Sequence, residues 1–107
     1  MDALPAVITD HVDAIRELCV KYRVKRLAVF GSAAKGTFDP ERSDVDFVVE
    51  FDPDLHGADG WDAYWGLRED LQDRLQRNVD LVSWRAVKNP YFREILEQTQ
   101  KQIYAAA

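Results

Sequence analysis

Apolar residues recur at three- and four-residue intervals in some stretches of the chain and gather into short β-branched runs in others, so helices and strands alternate. Residues 9–22 put Val12, Ile15, Leu18, Cys19 and Tyr22 on one helical face, with Thr9 as candidate N-cap and Asp10 in the first turn. Arg26 to Phe30 is a short apolar run stopped by Gly31 and predicts a buried strand. Ser32 to Lys35 predicts a short helix closed by Gly36, and residues 38–43 a polar loop with turn residues. Val45 to Phe51 is strongly β-forming and predicts a second strand. After a loop rich in Asp, Gly and Pro, residues 61–77 predict a helix with Trp61, Tyr64, Leu67 or Arg68, Leu71 and Leu75 near one face, and residues 79–84 a third strand. Asn89 as N-cap and Pro90 at the first helical position open a last helix, whose apolar stripe is Phe92, Leu96, Thr99 and Ile103, with Tyr91 and Ile95 beside it. Ala105 to Ala107 reads as a frayed end. Helices interleaved with three strands predict an α/β fold, a small mixed β-sheet with flanking helices.

Composition narrows the function classes. A length of 107 residues predicts one domain over residues 1–107. Lys and Arg number 14 against 19 Asp and Glu, a net charge of -5, which argues against direct nucleic-acid binding through phosphate neutralisation. Between Asp39 and Asp62 nine acidic residues face one basic residue, Arg42, a field that repels bare RNA and suits a basic protein partner. Cys19 is the one cysteine, so a disulfide framework or cysteine-cluster zinc site is not expected, and it reads as a small core residue. No apolar run reaches the roughly 20 residues of a membrane span, and the start lacks a signal-peptide pattern. A cytoplasmic protein is expected.

The chemistry-bearing stretch is Gly31-Ser32, followed by Asp44-Val45-Asp46. Residues two apart on a strand share a face, so Asp44 and Asp46 stand side by side, ~6–7 Å apart at Cα. Such carboxylates repel one another unless a cation lies between them, and a hard ion such as Mg²⁺ suits an oxygen donor set. A strand that ends in Gly31 and turns into a helix presents free backbone N–H groups to an anion. The Ser32 hydroxyl can donate to a phosphate oxygen, and Lys35 adds a cation one turn on. The P-loop pattern G-x-x-x-x-G-K-[ST] is absent, because Gly36 is followed by Thr37. Asp80 is a third carboxylate, set in the apolar run Val79-Asp80-Leu81-Val82. Were that strand beside the Asp44/Asp46 strand, three carboxylates would meet at a phosphate-binding turn, which fits two-metal phosphoryl or nucleotidyl transfer.

Gly31-Ser32, Asp44-x-Asp46 and the later Asp80, over roughly Arg26 to Trp84, resemble the nucleotidyltransferase superfamily that includes DNA polymerase β. The small size and the form Gly-Ser-x-Ala-Lys-Gly…Ser-Asp-Val-Asp are closest to the MNT-type minimal nucleotidyltransferases, antitoxins of HEPN toxins. That resemblance implies the polymerase β-like nucleotidyltransferase fold and a nucleotide site at Gly31, Ser32 and Lys35. It also implies catalytic, Mg²⁺-binding carboxylates at Asp44, Asp46 and Asp80, with Asp80 a metal ligand or the base for the acceptor's hydroxyl. The implied reaction moves AMP from ATP to a protein hydroxyl, a tyrosine of a cognate HEPN-domain toxin held as a hetero-oligomer. Eleven residues separate Ser32 from Asp44, more than the commonest family spacing, and Lys35 stands where arginine is more usual. Neither departure removes a carboxylate.

A plainer reading stands beside each of these. Asp44 alone fits a turn residue, Asp46 and Asp80 fit solvated strand positions, Ser32 an N-cap and Lys35 an exposed helix residue. A different class of function, a non-catalytic module that neutralises a toxin by occlusion, uses the same fold without the chemistry. Trp61, Trp65 and Trp84 are expected to pack in the core, although an exposed Trp65 would suit an interface. His11 and His56 lack metal-ligand spacing.

Overall fold

The computed structural model describes residues 4–31, 34, 39 and 44–106. A one-turn helix α1 (Ala6–Thr9) precedes α2 (Val12–Lys21), β1 (Val24–Phe30), β2 (Val45–Phe51), α3 (Gly57–Leu75), β3 (Val79–Ser83), a 3-10 turn (Trp84–Ala86), α4 (Pro90–Thr99) and β4 (Lys101–Ala105). The four strands form one sheet in the order β3-β2-β1-β4. β1 runs antiparallel to β2 and to β4, whereas β2 and β3 are parallel. α3 is the crossover that a parallel neighbour requires. The sheet is thus mixed and flanked by helices, as the alternation of patterns predicted.

Strand alternation sorts the central side chains into two layers. Leu27 and Val29 of β1, Val45, Phe47 and Val49 of β2, and Val79 and Leu81 of β3 meet Ile15 and Cys19 of α2 and Leu67, Leu71 and Leu75 of α3. The four-residue spacing from Ala63 through Leu67 and Leu71 to Leu75 makes the buried stripe of α3. On the other face Ala28 and Val48 pack with Trp84, Val87 and Leu96, and Phe30 and Val82 lie against them. Cys19 is fully buried, which pushes its thiol pKa up to about 12 and leaves it an inert core residue.

Several boundaries differ from those predicted. Thr9 does not cap α2: it ends α1, His11 precedes α2, and the Thr9 Oγ1 turns back to the Ala6 carbonyl at 3.5 Å. β1 begins two residues early at Val24, and α3 runs Gly57–Leu75 rather than 61–77. Trp84 leaves the third strand to open the 3-10 turn. Asn89 does cap α4, its Oδ1 accepting from the N–H groups of Tyr91 (2.9 Å) and Phe92 (3.3 Å), with Pro90 first in the helix. That helix nevertheless stops at Thr99, and Ile103 belongs to a fourth strand, not to a helical stripe. Ala105 is part of that strand rather than a frayed end, and the N–H of Ala106 still bonds the Lys25 carbonyl at 2.8 Å. Pairing with the open edge of β1 overrides helical spacing here, because ladder bonds satisfy backbone groups that water would otherwise hold. Of the tryptophans only Trp84 is in the core; Trp61 is 66% exposed and Trp65 is 38% exposed.

Candidate active site

The end of β1 and the starts of β2 and β3 lie at one edge of the sheet. In the register Phe30 faces Asp46 across β1 and β2, and Asp46 faces Asp80 across the parallel β2–β3 pair. Neighbouring strands are ~4.8 Å apart, so Asp46 and Asp80 stand side by side, with Asp44 one residue pair further along the same face. Asp46 and Asp80 fall on the face that carries Val48, Val82 and Phe30, the face α4 covers. Of the predicted juxtaposition, the β2–β3 register brings Asp46 beside Asp80.

Electrostatics follow from that placement. The Asp46 carboxyl is pushed above its ordinary pKa, first by burial, then by the charge of Asp80, then by that of Asp44. Asp44 and Asp80 are exposed. Among the described residues no group of three or more His, Cys, Asp or Glu side chains is drawn together as a ready metal centre. An all-oxygen donor set nonetheless suits a hard divalent cation, which would replace the proton on Asp46.

Gly31 closes the edge. Its φ is +65°, in the left-handed region, and its carbonyl accepts the Ala34 N–H at 3.1 Å. A Cβ at position 31 would overlap the Asp46 carboxylate, with Cγ at 3.3 Å and the Asp46 Cβ at 3.6 Å. Glycine here serves both the turn and the room taken by Asp46. Ser32 and Lys35, predicted as nucleotide ligands, lie outside the described residues.

Two polar residues not singled out in the sequence hold the edge together. Asn78 donates from Nδ2 to Asp44 Oδ2 at 3.2 Å, and its carbonyl accepts the Val45 N–H at 3.2 Å. Gln72 of α3 accepts the Val79 N–H through Oε1 at 3.2 Å. The usable signal for Asn78 was its position directly before the Asp80 strand, where a side-chain amide reaches a neighbouring strand start. A cavity of about 850 Å³ opens elsewhere, at the far ends of β2 and β3, and includes none of the predicted site residues.

The family description "Nucleotidyltransferase domain" matches residues 12–104. A Methanocaldococcus jannaschii protein named "Putative protein adenylyltransferase MJ1379" is 38% identical over 98 residues, 92% of this chain and 92% of that protein. A solved chain described as "putative minimal nucleotidyltransferase" superposes with a TM-score of 0.74 at 29% identity, over 88% of this chain and 90% of that one. A chain from a toxin-antitoxin crystal structure with AMP-PNP superposes with a TM-score of 0.69 at 26% identity, over 89% of this chain and 73% of that one.

Proposed function

The chain belongs to the nucleotidyltransferase domain family, and from that membership we propose that it moves AMP from ATP to a protein hydroxyl, a tyrosine of a cognate HEPN-domain toxin, and so acts as the antitoxin. The observation that carries this reading is the pairing of Asp46 with Asp80 beside the Gly31 turn, with Asp44 near enough for its charge to act on Asp46. The name of the jannaschii relative and the toxin-antitoxin neighbour with AMP-PNP support the protein acceptor and the nucleotide.

In this mechanism the acceptor oxygen attacks the α-phosphorus of ATP, the bond from that phosphorus to the bridging oxygen breaks, and pyrophosphate leaves. Asp44 and Asp46 would hold Mg²⁺, with Asp80 beside them as a further ligand or as the base that takes the hydroxyl proton on its carboxylate. Bound there, Mg²⁺ would screen the triphosphate charge and orient the reacting oxygens. Gly31 turns the chain at the strand end, where Ser32 and Lys35 would contact the phosphates. Asn78 keeps Asp44 turned toward the edge. The covered α4 face limits solvent access to Asp46, which sharpens its interaction with a cation.

The test is intact-mass spectrometry of the HEPN-domain partner after incubation with ATP and Mg²⁺. A gain of adenylyl mass with the parent chain and none with Asp44→Asn/Asp46→Asn is the expected result. A partner that the parent binds and neutralises without any mass gain would replace transfer with occlusion.

A further inference from the structure

β3 is the outer strand of the sheet, and α3 closes its free edge at two points, one on each side of Asp80. Gln72 Oε1 accepts the Val79 N–H at 3.2 Å, and the Tyr64 hydroxyl donates to the Leu81 carbonyl. Backbone groups of successive strand residues face opposite sides. The Asn78 carbonyl takes the Val45 N–H, so Asn78 and Asp80 turn their backbone groups toward β2, while Val79 and Leu81 turn theirs to the open edge. Val79 and Leu81 are both buried, and a buried backbone group without a partner is costly.

Tyr64 and Gln72 lie about two turns apart on α3 and so reach along the strand from one flank of the helix. The Tyr64 ring is itself seated edge-to-face against Trp65, with centroids 5.1 Å apart and planes at 90°. Its hydroxyl is pushed above its ordinary pKa first by burial, and the Asp80 charge adds to the rise against the opposing Arg68 guanidinium. The hydroxyl therefore lies within electrostatic reach of Asp80.

The three carboxylates differ in what holds them. Asp44 accepts a hydrogen bond from Asn78, and Asp46 is half-buried beside the Gly31 turn. Asp80 is exposed, and its strand has one neighbouring strand, so its place opposite Asp46 is only as firm as β3 itself. We propose that Tyr64 and Gln72 are positioning residues for Asp80: by fixing β3 immediately before and after it, they hold its carboxylate where transfer needs it beside Asp46. This inference rests on the reading of the chain as a protein adenylyltransferase with Asp80 at the reacting edge. Satisfying two buried edge groups would by itself predict a loss of stability and nothing more. Positioning predicts a loss of turnover that depends on Asp80.

The experiment uses the full chain, its HEPN-domain partner, ATP and Mg²⁺. Tyr64→Phe removes the hydroxyl and keeps the ring on Trp65, Gln72→Met keeps the length and removes the acceptor, and Gln72→Glu keeps an acceptor oxygen. Tyr64→Phe and Gln72→Met should each lower kcat about tenfold, because small displacements of a reacting group are costly. The KM for ATP should stay within about twofold, and Gln72→Glu should return kcat to within about twofold of the parent. In an Asp80→Asn background the further loss from Tyr64→Phe should shrink to less than about twofold, since residues that act through one group are not additive. Cys19→Ala, in the α2 core, should lower the melting temperature comparably and leave kcat near the parental value.

Tyr64→Phe and Gln72→Met that melt earlier yet turn over within about twofold of the parent would overturn the proposal. An equal kcat loss in Cys19→Ala would overturn it by tracing the effect to general destabilisation. A full further loss on top of Asp80→Asn would do so by showing that the pair acts elsewhere. Parental transfer by Asp80→Asn alone would remove the proposal and leave the transferase reading standing. A parent chain that modifies no partner sinks the transfer reading and the proposal with it.

Discussion

Asp46 stands directly across the parallel β2–β3 pair from Asp80, and burial together with the charges of Asp80 and Asp44 raises the proton affinity of Asp46. Register partners on neighbouring strands carry their side chains on the same face, so the two carboxylates are neighbours by backbone placement. Burial and two neighbouring carboxylates make the ionised form of Asp46 a cost to the folded chain.

That cost has a definite pH dependence. With the folded pKa of Asp46 above its ordinary 3.8, the folded state binds the proton more tightly than the unfolded one. The stabilisation from protonating Asp46 is complete below 3.8 and is lost as pH rises through the folded pKa. Asp52 and Asp70, whose pKa values are lowered, contribute in the opposite sense, so the comparison must be with Asp46→Asn. Thermal melts in EDTA between about pH 4 and 7 should show the Asn variant more stable than the parent at the neutral end, with the gap closing toward acid. Mg²⁺ should raise the neutral-pH melting temperature of the parent more than that of the variant. A parent-minus-variant difference flat across the range would refute the electrostatic account.

Gly31→Ala meets two obstacles. A left-handed backbone costs an L-residue about 1–2 kcal/mol, and the new methyl must displace the Asp46 carboxylate. Urea unfolding should show a loss of at least that size, and transfer should fall at least about tenfold if the displaced Asp46 carboxylate is the proposed metal ligand. In an Asp46→Ala background the stability loss should shrink to the backbone part, a coupling that a double-mutant cycle reads directly.

Asn78→Ala removes the amide that holds Asp44 while keeping the backbone bond from Val45. Because both side chains are exposed, global stability should change by no more than about 0.5 kcal/mol. The Mg²⁺ concentration needed for half-maximal transfer should rise about tenfold, and Mn²⁺ affinity measured by electron paramagnetic resonance should fall in step. An unchanged metal requirement would leave Asn78 with a purely local role.

Gly66→Ala sets two effects against each other in the middle of α3. Helix propensity alone favours alanine by about 0.8–1.0 kcal/mol. The added Cβ would lie 2.6 Å from Tyr22 Cε1 and 3.0 Å from its hydroxyl oxygen, and overpacking of this kind costs about 1–3 kcal/mol. Moving Tyr22 also disturbs the bond its hydroxyl donates to Asp70. Net destabilisation is expected in urea unfolding, and the same substitution made with Tyr22→Ser should instead stabilise.

What the linear chain determined is mostly local. The two-residue period made Asp44 and Asp46 share a face wherever their strand lay, and the β-branched run from Val45 ensured that it was a strand. Asn89-Pro90 fixed the start of α4 through a side-chain cap and a preset φ, both properties of neighbouring residues. The candidate triad was therefore legible as a motif before any contact was known. Partnership between distant segments was decided by the tertiary structure alone. Lys101 to Ala105 has no strong strand pattern and continues a helical spacing, but the open edge of β1 supplied ladder partners and made it a strand. Asn78 met Asp44, and Asp80 met Asp46, because the crossover through α3 set a parallel register that short-range periodicity does not encode. Trp61 ended in solvent and Trp84 in the core for the same reason: burial depends on which surfaces the finished sheet leaves uncovered.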